Sequence, residues 1–261
     1  MSLSRLALRI ATVKALRGKT FAGAMVRDSE IGPIDETAEG AEVPFIVVYT
    51  DECDIEANGA GEETSLFGCC TGIDLTIEMA VTSRMKPGGA WTIPTTDAGL
   101  EFTIDALERQ VRLALSDPDN AWAEIWRTLV REIKGQKSSR GASATKGVRF
   151  AGRQIVLTVD VLPEPNPGQP LRGLWLKFLA LVEADADLQA RKDLIVSIAT
   201  GGAMDWSEFK RLRAAYGLPK DTADALLLGA LPTIEPDVPN ISASVSTDVQ
   251  DEIAISQALQ P

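Results

Sequence analysis

Residues 73–82 read IDLTIEMAVT, and an apolar side chain occupies every second position from Ile73 to Val81. Most of the positions between them carry acidic or hydroxyl side chains. Because successive side chains of a β-strand point to opposite faces, this alternation predicts a strand with one buried face and one exposed face.

Two more strands are predicted, one on each side of this stretch. Residues 43–50, VPFIVVYT, form a continuous β-branched and aromatic run, which is typical of a strand buried on both faces. Residues 154–162, QIVLTVDVL, alternate again and predict another strand. Residues 51–68 are acidic and contain several glycines, so we expect an exposed hairpin connection between the first two strands.

Helical periodicity dominates the segments around these strands. Apolar residues recur at three- and four-residue spacing in residues 2–16 and 101–116, and Asp97 is the expected N-cap of the second helix. The same period continues over residues 122–133, which predicts a helix that is broken at residues 117–119.

A proline-rich spacer marks the predicted domain boundary, and its prolines are Pro163, Pro165, Pro167 and Pro170. We expect an α+β domain over residues 1–165, a small helical module over residues 166–231 and an extended arm over residues 232–261. The arm is rich in Pro, Ser and Asp, and we expect it to pack on a neighbour or to stay loose. The predicted fold class is α+β, with a small, mostly antiparallel sheet flanked by helices and a C-terminal helical module.

The composition limits the classes of function. The 261 residues carry a formal net charge of −11, which disfavours sequence-specific binding to duplex DNA. The chain contains no histidine, the commonest general base near neutrality and the commonest transition-metal ligand. No apolar run approaches the roughly 18 residues that a membrane span needs, and no signal-peptide pattern opens the chain, so we expect a cytoplasmic protein.

Three candidate chemical sites are weak. Gly18-Lys19-Thr20 resembles the end of a phosphate-binding loop, but the required earlier glycine is replaced by Val13. Cys53, Cys69 and Cys70 lack the spacing of a zinc site, and we expect reduced, packed thiols. Without histidine the chain also cannot complete the usual serine or cysteine triad. We therefore predict no catalytic residue, no bound metal and no cofactor.

A basic segment interrupts the acidic sequence. Residues 134–153 contain six basic side chains and no acidic one, and residues 135–147 are rich in Gly, Ser and Ala, which predicts a flexible loop. Such a loop is either a mobile surface segment or a contact with an acidic neighbour, which electrostatics favours. The candidate interface residues are Lys134, Lys137, Arg140, Lys146, Arg149 and Arg153.

The order of the predicted elements resembles the tail-terminator family of long-tailed bacteriophages. The resemblance covers about residues 1–165, and the helical module after Pro170 departs from the small members of the family. The segments that carry it are SRLALRIA (4–11), PID (33–35), PFIVVYT (44–50) and VRFAGRQI (148–155).

The resemblance implies a small antiparallel sheet flanked by helices and a hexameric ring that caps the tail tube and joins it to the head-side neck. It implies a structural virion protein of the tail or neck, assembled in the host cytoplasm, and not an enzyme. Its partners would be other copies of itself, the tail tube protein and a neck stopper or adaptor. DNA would pass an acidic lumen without sequence-specific binding, and no membrane would be involved.

Two alternative functions stay open at the level of sequence. The chain could be a head-tail adaptor or stopper of the same neck, which is a structural role with a different neighbour. It could also be a carboxylate-dependent metal hydrolase built on Asp51 and Asp54.

Overall fold

The computed structural model describes residues 3–30, 44–56, 69–82, 96–145, 148–165, 171–200 and 207–226. The elements of the first half of the chain are α1 (Leu3–Leu16), β1 (Val26–Asp28), β2 (Phe45–Thr50), β3 (Asp54–Glu56), β4 (Cys69–Thr71), β5 (Ile73–Thr82), α2 (Asp97–Ser116) and α3 (Ala121–Leu129). Those of the second half are β6 (Val130–Thr145), β7 (Val148–Val161), α4 (Leu174–Ala184), a 3₁₀ turn (Gln189–Arg191), α5 (Lys192–Thr200), α6 (Glu208–Tyr216) and α7 (Lys220–Ala225).

A five-stranded sheet with the order β1-β2-β5-β7-β6 organises the fold. β1 pairs with β2 in parallel, and every other neighbouring pair in this sheet is antiparallel. The predicted α+β class with a mostly antiparallel sheet is therefore confirmed. β3 lies within the predicted hairpin connection and pairs with β4, just after it, in a separate two-stranded sheet. Residues 57–68 of the connection lie outside the described part of the chain.

The prediction of one exposed face for β5 is wrong, because three side chains on the face opposite the helices are also buried. Its apolar side chains join the core beneath the helices, while Thr76, Ala80 and Thr82 of the opposite face are also fully buried. Ala80 packs with Phe45 and Val47 in a second apolar cluster. The buried Thr76 hydroxyl lies 2.8 Å from Asp51 Oδ2, so this polar group keeps a hydrogen-bond partner.

Helices α1, α2 and α3 supply the apolar layer that packs on the sheet. The N-cap of α2 is Thr96, whose hydroxyl accepts a hydrogen bond from the Gly99 N–H at 3.2 Å, so the prediction of Asp97 as the cap is wrong by one residue. Among the described residues, no helix combines the length and the apolar character needed to cross a membrane.

The predicted helix over residues 122–133 ends early, at Leu129. Asn120 caps α3 by accepting hydrogen bonds from the N–H groups of the first turn, which separates α3 from α2 as predicted. Val130 and Ile133 continue the apolar spacing of the helix, but they pair with Val161 and Val159 of β7. Pairing with a neighbouring strand thus overrides the helical period.

The predicted flexible loop over residues 135–147 is also wrong. β6 continues through it to Thr145, and β7 begins at Val148, six residues before the predicted start. Gly, Ser and Ala have low β-propensity, but the continuous pairing with β7 from Gly135 to Thr145 determines the conformation.

The chain forms two compact units, Met1–Pro219 and Lys220–Pro261. In the first unit, Phe178 of α4 is fully buried and makes edge-to-face contacts with Trp122 and Trp175, with ring centroids 6.3 and 6.4 Å apart. In the second unit, α7 carries an ion pair of 2.8 Å between Lys220 and Asp224. Buried residues of α4 and α5 belong to the same apolar core as the sheet. The predicted arm over residues 232–261 lies outside the described residues.

Replacing Phe178 by Ala should lower the free energy of unfolding by about 3–5 kcal/mol, because the change removes a fully buried aromatic ring and leaves a cavity. Leu176→Ala is the matched control on the same helix, since Leu176 is 55% exposed, and it should cost less than about 0.5 kcal/mol. Urea denaturation followed by circular dichroism measures both. Equal effects of the two changes would contradict a core shared between α4 and the sheet.

Candidate assembly interface

Five of the six predicted interface residues fall on the antiparallel β6–β7 hairpin. The two strands pair continuously from Gly135 opposite Thr158 to Thr145 opposite Val148. Lys146 lies outside the described residues, and of Arg149 only the backbone is described. Lys134, Lys137, Arg140 and Arg153 can therefore be placed, and they differ in what they contact.

Arg153 and Arg140 contact helix α2 and not a free surface. The Arg153 guanidinium forms ion pairs with Asp105, with Glu108 at 3.1 Å and with Glu101 at 3.4 Å. The Arg140 Nε lies 2.5 Å from the second oxygen of Glu101. The three carboxylates follow one another at helical spacing, so they form a single acidic stripe that faces the hairpin.

This acidic stripe is partly buried, and its charges are mutually compensated. Burial alone raises the pKa of Glu108, but hydrogen bonds from Arg112 and Arg153 outweigh it, so the pKa of Glu108 lies below its ordinary value. Arg112 also donates a hydrogen bond of 3.0 Å to Gln136 on β6. Arg140 and Arg153 thus fasten the hairpin to α2, and the chain itself supplies the acidic neighbour that was predicted for them.

Lys134 also forms an ion pair within the chain, with Asp160 of β7. Its Nζ lies 2.9 Å from Asp160 Oδ2, and Asp160 is only 5% exposed. The Gly72 N–H donates a 2.9 Å hydrogen bond to the other Asp160 oxygen, from a backbone φ of 60° that favours glycine. Burial raises the pKa of Asp160, but the bonds from Lys134 and Gly72 bring it below the ordinary value. Asp160 therefore ties β6 to the turn before β5.

Lys137 differs from the other placed cations. It is exposed, and within the described parts of the chain it has no ion-pair partner. It lies on an edge strand, since β6 pairs only with β7 among the described strands. On the outer side of such a strand, alternate N–H and C=O groups point away from the sheet and can accept another strand.

The charges of β6 restrict which kind of strand could pair with its outer edge. Four basic residues and one acidic residue, Glu132, occupy residues 130–145. Two copies of this edge would bring like charges together, which destabilises a strand pair. The outer edge of β6 therefore favours an acidic partner over a second β6.

A polar row on the sheet face opposite α1, α2 and α3 was not predicted. Tyr49 Oη lies 2.6 Å from a Glu78 oxygen, and the Gln154 amide donates to the same oxygen at 2.8 Å. Ser139 lies 3.4 Å from the Gln154 side-chain oxygen and extends the row to β6. Burial and the neighbouring Glu78 raise the pKa of Tyr49 well above its ordinary value, so the phenol stays protonated. The row links four strands in their observed register.

This row could not be predicted from the sequence alone. Glu78 and Gln154 are directly opposite each other, and Gln154 is opposite Ser139, only because of the strand register. Each of these residues is an ordinary polar position of an alternating strand when its strand is considered alone. Their association depends on pairings that a single sequence does not specify.

One carboxylate of the predicted alternative metal site, that of Asp51, has another contact. Asp51 accepts the hydrogen bond from Thr76, and the Cys53 thiol beside it is half-buried and free. In the portion of the chain that the structure describes, no three His, Cys, Asp or Glu side chains are grouped so that they could hold a metal ion.

No protein-family model matches the chain, and a comparison with curated proteins finds no significant match. Inference about its function therefore rests on the fold and on the contacts described above.

Replacing Arg153 by Gln should lower the free energy of unfolding by about 1–3 kcal/mol, because it leaves the partly buried carboxylates of α2 without their shared cation. Lys137→Gln removes one positive charge from the same hairpin, but this side chain is exposed, so its effect should stay within about 0.5 kcal/mol. Urea titrations at neutral pH give both values. An Arg153→Gln variant as stable as Lys137→Gln would show that the acidic stripe does not hold the hairpin.

The stabilisation from Arg153 should also depend on pH. Glu108 has a lowered pKa in the folded protein, so its contribution is fully present above the ordinary carboxyl pKa of about 4.5 and is lost as the pH falls through the folded-state pKa. The stability difference between the wild type and Arg153→Gln should therefore be constant near neutrality and shrink below about pH 4.5. A difference that stays constant into acid would contradict the ionic origin of the effect.

Proposed function

We propose that this chain is a non-enzymatic structural subunit of a bacteriophage virion, a tail terminator that forms a hexameric ring, caps the tail tube and joins it to the head-side neck. The observation that carries the proposal is the outer edge of β6, which is long, basic and without a partner strand among the described residues. Its partners are other copies of the chain, the tail tube protein and a neck stopper or adaptor.

The charge of β6 favours a head-to-tail contact between copies. An isologous dimer would place the same patch of both copies together, and two β6 edges repel each other. The rest of each copy is acidic, since the whole chain carries −11. A basic edge on one copy and an acidic surface on the next can meet head to tail, and repeated contacts of this kind close into a ring when the rotation permits it.

The fold and the net charge also support a role around DNA. The α+β architecture with a mostly antiparallel sheet agrees with what the resemblance to tail terminators implies. An acidic inner surface would repel the phosphate backbone, so DNA could pass through the ring without being held. Such a protein acts in the tail or neck of the virion after assembly in the host cytoplasm.

The purified chain should form a species of six times its 28.0 kDa mass, and Lys137→Glu should raise the concentration needed for half-assembly by about tenfold or more. The reversal places an acidic group on the edge that is proposed to meet an acidic surface. Lys177→Glu is the matched control, because Lys177 is an exposed lysine on α4 with the same charge change. Mass photometry across a dilution series, at low and at high salt, measures the assembly.

Two results would contradict this proposal in different ways. A wild-type chain that stays monomeric at the highest concentrations would rule out the ring. A ring that responds equally to Lys137→Glu and to Lys177→Glu would exclude the β6 edge as its interface. Cryo-electron microscopy of particles that contain the chain then separates a terminator on the tube end from an adaptor or stopper beside the portal.

A further inference from the structure

We propose that a cleft between α1 and the 3₁₀ turn binds a carboxylate that is attached to a short apolar group. The cleft has a volume of about 320 Å³, which is at the lower end of the range for small-molecule sites. Its lining comes from α1, from the end of β1 and from residues 187–191. No residue of β6 lines it, so this inference does not depend on the proposed function.

The apolar part of the cleft follows from the spacing of residues along α1. The residues of α1 that line the cleft are Ile10, Val13, Lys14 and Arg17. From one turn to the next they are three or four residues apart, so they lie on one face of the helix. Leu188, which precedes the 3₁₀ turn, adds a third aliphatic side chain to Ile10 and Val13. An apolar group of a ligand can therefore leave water against these three side chains.

One end of the cleft already holds a carboxylate of the chain itself. The Lys14 side chain is only 9% exposed, and its Nζ lies 2.5 Å from Asp185 and 2.9 Å from Asp187. Arg17 Nη1 lies 2.6 Å from the same Asp187 oxygen. Asp185 also accepts a 3.0 Å hydrogen bond from the Asp187 N–H, so it holds this segment against α1. The hydrogen bond from Lys14 lowers the pKa of Asp187, so Asp187 stays ionised near neutrality.

The charges of the cleft leave one cation over. The charged side chains that line it are Lys14, Arg17, Arg191, Asp28 and Asp187. Asp28 forms a 2.5 Å ion pair with Arg9, and Asp185 and Asp187 balance Lys14 and Arg17. Arg191 is exposed and has no ion-pair partner within the described parts of the chain. One positive charge therefore remains for a ligand to neutralise.

This surplus identifies the class of ligand. A guanidinium can pair with a carboxylate through two parallel hydrogen bonds, so Arg191 suits a carboxylate well. A ligand with a second negative charge would meet the Asp187 carboxylate, which is 65% exposed and lines the same cleft. The cleft therefore favours a monoanion with an apolar chain over a dianion such as a phosphate monoester.

Binding of sodium hexanoate to the full chain, measured by saturation-transfer NMR, tests this inference. Hexanoate should bind with a Kd on the order of 1 mM, as expected for a ligand of this size. Acetate carries the same charge but lacks the apolar chain, so it should bind about tenfold more weakly or worse. Equal binding of acetate and hexanoate would contradict an apolar wall in the site.

Replacing Arg191 by Gln should weaken hexanoate binding about tenfold, because it removes the cation that the ligand neutralises. Arg172→Gln is the matched control, since Arg172 is also exposed but does not line the cleft, and it should leave the Kd unchanged. Circular dichroism checks that both variants are folded. Equal affinity of the two variants would overturn the assignment of Arg191 to the site.

Hexyl phosphate tests the charge of the ligand. At about pH 8 it carries close to two negative charges, and it should bind about threefold more weakly than hexanoate or worse. Tighter binding of the phosphate would overturn the proposed preference for a monoanion.

The carboxylate could belong to a free organic acid or to an acidic side chain of a protein partner. The capped tripeptide leucyl-aspartyl-leucine has the same chemistry and should compete with hexanoate. If the tripeptide binds about tenfold more tightly, a protein supplies the carboxylate, and weaker binding indicates a free organic acid. If neither probe binds, the inference is wrong.

Discussion

The register of β7 is the constraint on which the other contacts depend. β7 lies between β5 and β6, and its successive side chains Arg153 and Gln154 point to opposite faces of the sheet. In the observed register, Arg153 meets the carboxylates of α2 and Gln154 meets Glu78 on the other face. A slip by one residue would exchange the two faces, and Arg153 would then lose its ion pairs with α2 and Gln154 its hydrogen bond to Glu78. Polar contacts on both faces therefore specify the same pairing as the apolar core.

The sequence predicted the apolar parts of the fold better than the polar ones. The strands β2 and β5 and the helices α1 and α2 follow from local periodicity, which is set by neighbouring residues. β6 was missed because its Gly, Ser and Ala residues give no local signal, and its conformation comes from pairing with β7. The basic cluster was found, but its acidic partners on α2 lie 39 to 52 residues away in the chain. Such a contact depends on tertiary packing, and counting the charges along the sequence does not show which of them meet in the fold.

The distribution of charge follows from the same packing. Arg140, Arg153 and Lys134 are paired with carboxylates of their own chain, so most of the basic segment stabilises the fold instead of meeting a partner. Lys137 differs because its position on the edge strand has no neighbouring element in the described residues to supply a carboxylate. An acidic chain thus keeps a small, well-defined place where a second acidic surface can approach.

An edge strand with this charge both prevents one kind of association and permits another. The cations on β6 oppose the edge-to-edge pairing of identical strands, which is the usual hazard of a long unpaired edge. They do not oppose a surface of opposite charge, so the proposed ring would bring different surfaces of two copies together. A contact between different segments can be reciprocated in a two-fold dimer or repeated head to tail, and only the head-to-tail form closes into a ring or continues as a filament.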